Sequence, residues 1–325
     1  MRYDELIRLS RAFRESRILL TAIELDLFSA VETKATASEV AARLHTDVRA
    51  TEVLMNALAA IGLLTKRNGV FWNTPLVARY LSEQSPNNER LALMHIVHLW
   101  DRWSRLTQCV RTGSPPPSRA LNRSDSSRVR AFIAAMHRNA AERSRYVVAA
   151  VPAKRARRML DVGGGSGAYS IAFANAHPKL QVDLLDRPEV LPIAQAHIEE
   201  AGLADRIQTR AGDLRQDTLG TNYDLILLSA ICHMLSPQEN QNLLQRAFHA
   251  LACKGRIVIQ DFLLRADKTA PRSGAVFAVN MLVNTPGGNT YSDKEYASWL
   301  RAAGFSRISK IRLPGETGLM IGVRS

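Results

Sequence analysis

Cysteine is scarce in these 325 residues: Cys109, Cys232 and Cys253 stand far apart, with no CxxC pair. An odd, scattered set excludes a disulfide framework and a thiolate zinc site, and suits a reducing compartment. Long apolar runs are missing too. No stretch approaches the ~18 apolar residues that a transmembrane helix needs. The start, Met1-Arg2-Tyr3-Asp4-Glu5, carries acids where a secretory signal has its apolar segment. The expectation is a cytoplasmic protein with no membrane partner. Acidic residues are outnumbered, 30 against 43 Lys and Arg, for a formal net charge of +13. Such a balance serves nucleic-acid binding when it gathers on one face. Here the arginines run from Arg2 to Arg324, with local clusters at Lys154–Arg158 and Arg123–Arg130. The charge reads as solvated surface, and no nucleic-acid partner is expected.

What is present begins with helices. In the first ~30 residues Leu6, Leu9, Phe13, Leu20 and Phe28 are joined by Ile7, Ile18, Leu19, Ile23, Leu25 and Leu27, which is wider than a single amphipathic stripe. This predicts burial on several sides, partly against a second subunit. Thr36-Ala37-Ser38-Glu39 is a capping box, and Thr46-Asp47 can cap the next helix, with Val53, Leu54, Ala57, Leu58 and Ile61 on its apolar face. Asn68-Gly69 between Leu63-Leu64-Thr65 and Val70-Phe71-Trp72 is a hairpin signal. Two helices and a hairpin in this order make a winged helix. Residues ~90–150 read as helical again, broken by a loop at Ser114-Pro115-Pro116-Pro117-Ser118.

From ~156 the pattern changes to strands alternating with helices: Met159–Val162, Leu180–Leu185, Ile207–Ala211, Leu225–Ser229, Arg256–Gln260 and a last strand at Gly318–Val323. Apolar strands with helical crossovers predict an α/β fold whose mostly parallel sheet is covered on both faces. The sharpest motif is Leu160-Asp161-Val162-Gly163-Gly164-Gly165-Ser166-Gly167-Ala168. A strand ends in an acid, turns through glycines and opens a helix, so backbone amides can approach a ligand. Taken alone the motif also fits a dinucleotide fingerprint. Asp186, ending the second strand, suits a ribose in either cofactor class. Ala211-Gly212-Asp213-Leu214 after the third strand tips the balance, because an acid and an apolar residue there can hold an adenine.

On these motifs, with Trp103…Leu106…Val110-Arg111-Thr112-Gly113 and Ile231-Cys232-His233, the chain resembles the plant-type small-molecule O-methyltransferases, the caffeic acid and hydroxyindole family with its bacterial branch. The resemblance spans nearly the whole sequence. It implies a Rossmann-like class I methyltransferase domain with a seven-stranded sheet at 151–325, a winged-helix dimerisation domain at 1–90, and a helical linker at 91–150 contributing to the substrate pocket. It further implies S-adenosyl-L-methionine as cofactor, a homodimer, and methyl transfer to a hydroxyl of a small aromatic secondary metabolite. The implied cofactor residues are Asp161, Gly163, Gly165, Gly167, Asp186, Arg187, Gly212, Asp213, Leu214 and Ser229. The implied catalytic base is His233. Pocket candidates are His98, Trp103, Phe132, Met136, Phe277, Asn280, Met281 and Asn284, four of them at helical spacing on one segment.

The sequence departs from the family at two places. The Asp-Trp pair that follows the histidine is here Met234-Leu235, and the glutamate expected after the Gly-Gly pair falls on Thr290, behind Gly287-Gly288. The family's carboxylate partners of His233 are thus missing: either another group orients it, or positioning alone suffices for an easily ionised substrate, or the chain is a diverged member doing C-methylation or a non-methyl reaction. A winged-helix DNA-binding regulator is a further alternative; its recognition helix, Val48–Ile61, is mostly apolar and reads as buried, which favours dimerisation. A Cys232–His233 nucleophile pair lacks an oxyanion-hole motif. A metal site from His95, His98 and Asp101 is weaker than a helix face, so no metal is expected.

Overall fold

A computed structural model describes residues 2–115 and 126–325. Most of the expected proline loop, and the Arg123 end of the Arg123–Arg130 cluster, lie outside the described residues. The chain divides into two compact units, Met1–Trp100 with Arg130–Ala135, and Asp101–Val129 with Met136–Ser325. Among the described residues no helix is long and apolar enough to cross a membrane.

The first unit is helical with a small sheet. Thr36 Oγ1 accepts from the Glu39 amide and the Glu39 carboxylate accepts from the Thr36 amide, so the capping box starts the Ala37–Leu44 helix. Asp47 accepts from the Ala50 amide and starts the Val48–Ala60 helix. Strand β1 (Ala35–Thr36) pairs with β3 (Val70–Asn73), which pairs with β2 (Leu64–Arg67) in the hairpin that Asn68-Gly69 turns. Phe28, Val40, Met55, Leu58 and Phe71 fill the core. The helix Tyr3–Arg11 buries nothing within the chain, and Tyr3, Leu6, Leu9 and Phe13 are exposed, the region for which a second subunit is expected; burial begins at Leu20. One expectation needs correction. The Val48–Ala60 helix buries Thr51, Met55 and Leu58, while its other face exposes Val48 and Val53 beside Arg49, Glu52 and Asn56.

The second unit is built on seven strands: β4 (Arg158–Val162), β5 (Gln181–Asp186), β6 (Ile207–Ala211), β7 (Tyr223–Ser229), β8 (Leu251–Asp261), β9 (Ser306–Arg312) and β10 (Gly318–Val323). Their order is β6-β5-β4-β7-β8-β10-β9, parallel through β8, with β10 antiparallel to both its neighbours. Strand alternation divides the apolar side chains between two cores. Leu160, Val162, Ile226, Leu228, Ile257 and Ile259 meet the helices Pro237–Ala250 and Asp293–Ala302 on one face. Met159, Val182, Leu184, Leu225 and Leu227 meet Ala168–Ala176 and Leu191–Glu200 on the other. The order changes direction at β4 and β7, so the carboxyl ends of these strands flank the crevice where open α/β sheets bind ligands.

Candidate active site

The cofactor candidates gather at the carboxyl ends of β4, β5, β6 and β7. The loop after β4 is tied down by its neighbour, since the Gly163 amide donates to the Leu185 carbonyl (2.7 Å) and the Gly165 amide to Asp186 Oδ2 (2.8 Å). Gly163 has φ +69°, which glycine adopts without strain, and a Cβ there would lie 2.4 Å from Ile231 Cδ1, so a larger residue would strain the backbone and displace the Ile231 side chain. Gly167 begins the Ala168–Ala176 helix. Ser166 is buried behind the loop, its Oγ 2.9 Å from His137 Nδ1.

Asp161 is fully buried and accepts from the Ser170 hydroxyl at 2.7 Å. Burial pushes its carboxyl up to about 6; the Ser170 bond opposes this, and the charge of Asp186 adds to it. Asp186 is also raised by burial, against amide bonds from Arg187 and Gly165. Two close carboxylates, both disfavoured as anions, suit a ligand that brings positive charge and hydroxyl donors. S-adenosylmethionine does both, with its sulfonium, its ammonium and its ribose diol, so the residues present fit it.

The remaining cofactor candidates surround this pair. The Arg187 guanidinium turns to Glu189 (3.2 Å), leaving its backbone amide on Asp186 Oδ1. The Gly212 amide donates to the Asp186 carbonyl (3.0 Å), which sets the β6 loop against β5. Asp213 Oδ1 accepts from the Arg215 amide (2.9 Å), while half-buried Leu214 packs on the core beside Gly163. The Ser229 hydroxyl donates to Gln260 Oε1 at 2.7 Å.

His233 lies in a short turn after β7, Cys232–Met234, and is only 7 % exposed. The turn is heavily anchored. Asn240 Nδ2 donates to the carbonyls of Cys232, Leu235 and Ser236, and the Tyr291 hydroxyl to that of Leu235. The Asn289 amide donates to the His233 carbonyl, against which Gly288 packs so closely that a Cβ would come within 2.5 Å.

Of the alternatives open for His233, the structure supplies another orienting group. Asp261, the last residue of β8, takes that place: its Oδ1 lies 2.7 Å from His233 Nδ1 and its Oδ2 accepts from the His233 backbone amide (3.1 Å). Asp261 is held in turn by the Phe262 amide (2.8 Å) and the Tyr296 hydroxyl (3.2 Å). A carboxylate on Nδ1 fixes the proton there and leaves the Nε2 lone pair free to accept one. β7 and β8 pair with Ser229 opposite Gln260, so Asp261 stands at the tip nearest the His233 turn. Reading β8 as ending at Gln260 missed it by one residue. Gln260, which joins Ser229 to the Tyr169 hydroxyl, lay inside the strand as read and was missed because its contacts depend on the pairing of β8 with β7.

Of the pocket candidates, Phe277 sets its ring edge-to-face on His233 at 4.9 Å and stacks on Phe262 at 4.4 Å. It belongs to the helix Arg272–Asn284 with Asn280, Met281 and Asn284. Trp103 Nε1 donates to Asn280 Oδ1 (3.0 Å), and Met281 is buried. Met136 is half-buried on the helix Ser126–Ala150. His98 and Phe132 belong to the first unit, where Phe132 meets His95 edge-to-face at 5.3 Å. Burial, then His98, lowers the His95 pKa to about 4. Cys232 is fully buried and its thiol is raised well above its usual value, burial first and Asp261 second, so it is no nucleophile. Among the described residues no group of three or more His, Cys, Asp or Glu could hold a metal ion.

The sheet order, the glycine loop between two buried acids and the histidine beyond β7 define a class I methyltransferase. Residues 103–306 match the O-methyltransferase domain and residues 7–83 the O-methyltransferase dimerisation domain. The 3-hydroxy-5-methyl-1-naphthoate 3-O-methyltransferase of Streptomyces sahachiroi is 34% identical over 96% of this chain and 92% of its own. The L-tyrosine C(3)-methyltransferase of Streptomyces lavendulae is 27% identical over 94% of this chain and 88% of its own. The structure of PigF with SAH superposes with a TM-score of 0.91 at 26% identity, covering 99% of this chain and 100% of PigF; PigF is an S-adenosyl-L-methionine-dependent methyl transferase from a Serratia strain. The chain therefore belongs to the O-methyltransferase family that the sequence resembled. It is an S-adenosylmethionine-dependent enzyme and carries the family's dimerisation domain.

Proposed function

We propose that the enzyme methylates the hydroxyl of a small aromatic metabolite, with His233 as general base. The observation that carries this reading is the Asp261–His233 pair beside the aromatic wall of Phe277 and Phe262. A phenol of pKa ~10 holds its proton at neutral pH, and a positioned neutral imidazole removes it as the oxygen attacks. Asp261 keeps the base in the reactive tautomer and stabilises the imidazolium that forms, as a buried carboxylate does in other His-Asp pairs. Asp161 and Asp186 take the cationic and diol ends of the cofactor, Asp213 and Leu214 its adenine end. When bound, S-adenosylmethionine supplies the methyl group and a sulfonium leaving group. The chain's own contribution is to align the nucleophile and take its proton.

The naphthoate relative supports an aromatic substrate. The exposed Tyr3, Leu6, Leu9 and Phe13, within the segment matching the dimerisation domain apart from Tyr3 and Leu6, support a homodimer closed by this face. The L-tyrosine relative favours a second reading, transfer to a ring carbon of a phenol; removing the same proton would activate that carbon.

The test supplies S-adenosylmethionine and a panel of phenols and hydroxynaphthoates. The expected product is a methyl ether, recognised by its O-methyl carbon shift. It should be lost in His233→Ala, which still binds S-adenosylhomocysteine. A C-methyl product selects the second reading. Full turnover by His233→Ala would remove the base assignment.

A further inference from the structure

Arg102 ends the helix Arg90–Trp103 beside the pocket candidate Trp103 and is half-buried. Its Nη1 donates to the Asn284 carbonyl (3.1 Å), and among the described residues no carboxylate faces it. A guanidinium carries five N–H donors, so one carbonyl leaves most of this group unused. Taking a cation out of water costs free energy unless it is paired and hydrogen-bonded. Burial, followed by the neighbouring Arg128, pulls the Arg102 pKa down, so the cation sits at a disadvantage that a bound anion would reverse.

The neighbouring carboxamide points the same way. Asn280 Oδ1 accepts from both Trp103 Nε1 (3.0 Å) and Asn284 Nδ2 (3.0 Å). Two donors on one atom fix the amide's orientation, and they turn its NH2 away from Trp103, with no acceptor for it among the described residues. Arg102 and Asn280 thus present hydrogen-bond donors and no acceptor. Asn280 lies on the helix whose Phe277 is against His233, and Arg102 reaches the end of that helix. Phe277 and Asn284 are seven residues apart, about 10 Å of helix, the scale of a hydroxylated one- or two-ring acid with its charged end turned away from the hydroxyl.

We propose that Arg102, seconded by the Asn280 amide, binds the carboxylate of the substrate, so that the substrate class is a hydroxylated aromatic acid. The inference rests on the reading of His233 as the base for the hydroxyl of that substrate. A carboxylate fits a planar guanidinium through two parallel hydrogen bonds. The second family carboxylate near the histidine is replaced here by Thr290, which removes one negative charge that an anionic substrate would have to face.

The test measures binding without turnover, by calorimetry on the full-length protein loaded with S-adenosylhomocysteine. The probes are 3-hydroxy-1-naphthoate and 6-hydroxy-2-naphthoate, each against its neutral carboxamide. Wild type should prefer at least one acid over its amide by about 10-fold or more, the range of a charge-assisted hydrogen bond. Arg102→Gln should collapse that preference while leaving amide binding unchanged, and Arg102→Lys should retain part of it. No acid preference in wild type, or no binding of any acid, overturns the proposal. So does an Arg102→Gln variant that weakens acid and amide alike, because a cap on the helix end would act on both. Product analysis runs separately: an acid that binds through Arg102 and is never methylated leaves the anion site standing and sinks the O-methylation reading.

Discussion

Nδ1 of His233 and Oδ1 of Asp261 lie 2.7 Å apart, and the Asp261 carboxylate is itself held by the Tyr296 hydroxyl and two backbone amides. The imidazole is thus presented from the protein side as a proton donor, with Nε2 left to act. Asp261→Asn keeps the shape of the side chain and removes the charge. Its amide nitrogen facing Nδ1 would favour the other tautomer, which has no free lone pair on Nε2. The expected result is a fall in kcat of about 10²-fold or more with little change in cofactor affinity. Single-turnover kinetics beside calorimetry checks both quantities.

Gly288 supports the same histidine from behind. A Cβ at this position would meet both the His233 carbonyl and Thr285 Oγ1 at 2.5 Å, and the first of these is backbone. Gly288→Ala must therefore move the Cys232–Met234 turn. Misplacement on the order of 1 Å can lower the rate about 10²-fold. We expect kcat to drop by that order and S-adenosylhomocysteine affinity to hold, as read by the same two assays.

Asp161 predicts a conflict between stability and binding. Its folded pKa is about 6, above the ordinary carboxylate value of 3.8. A raised acid contributes stability that is present below 3.8 and lost as pH rises through 6. Above pH 6 the buried charge therefore disfavours the folded cofactor-free protein, by on the order of 3 kcal/mol. Asp161→Asn should raise the melting temperature of the cofactor-free protein at pH 8 and leave it near wild type at pH 4.5. The same variant should bind S-adenosylmethionine at least about tenfold more weakly, because it no longer offers an anion to a cationic ligand. Thermal scans at the two pH values, with and without cofactor, check the sign.

Much of this architecture was legible because local signals agreed. The Thr36, Asp47 and Ser292 caps, the Asn68-Gly69 turn, and the apolar runs of β4, β5 and β7 each point to the element that forms. Strand β9 carried no such signal: Ile308 and Ile311 are its sole large apolar residues, as suits the edge of a sheet. The first helix carries an apolar face that finds no cover within one chain, so one chain alone does not account for its pattern. At the site, Asp161 and Asp186 stood out because they lie at the carboxyl ends of readable strands, and His233 because it comes shortly after one. Asp261 did not, because its role depends on the register of β7 against β8, a long-range fact. The substitutions at Met234 and Thr290 therefore suggested a missing partner that the neighbouring strand supplies.

The central claim is that His233 removes the substrate proton, and a series of phenols of graded acidity tests it most directly. One substrate scaffold is varied by ring substituents from pKa ~10 to ~7, and methyl transfer is measured at pH 7.5 in wild type and His233→Ala. The account predicts that the variant loses about 10²-fold or more on the least acidic phenol and progressively less as the substrate ionises by itself. An equal loss across the whole series would make His233 a packing residue, and no loss anywhere would contradict the account outright.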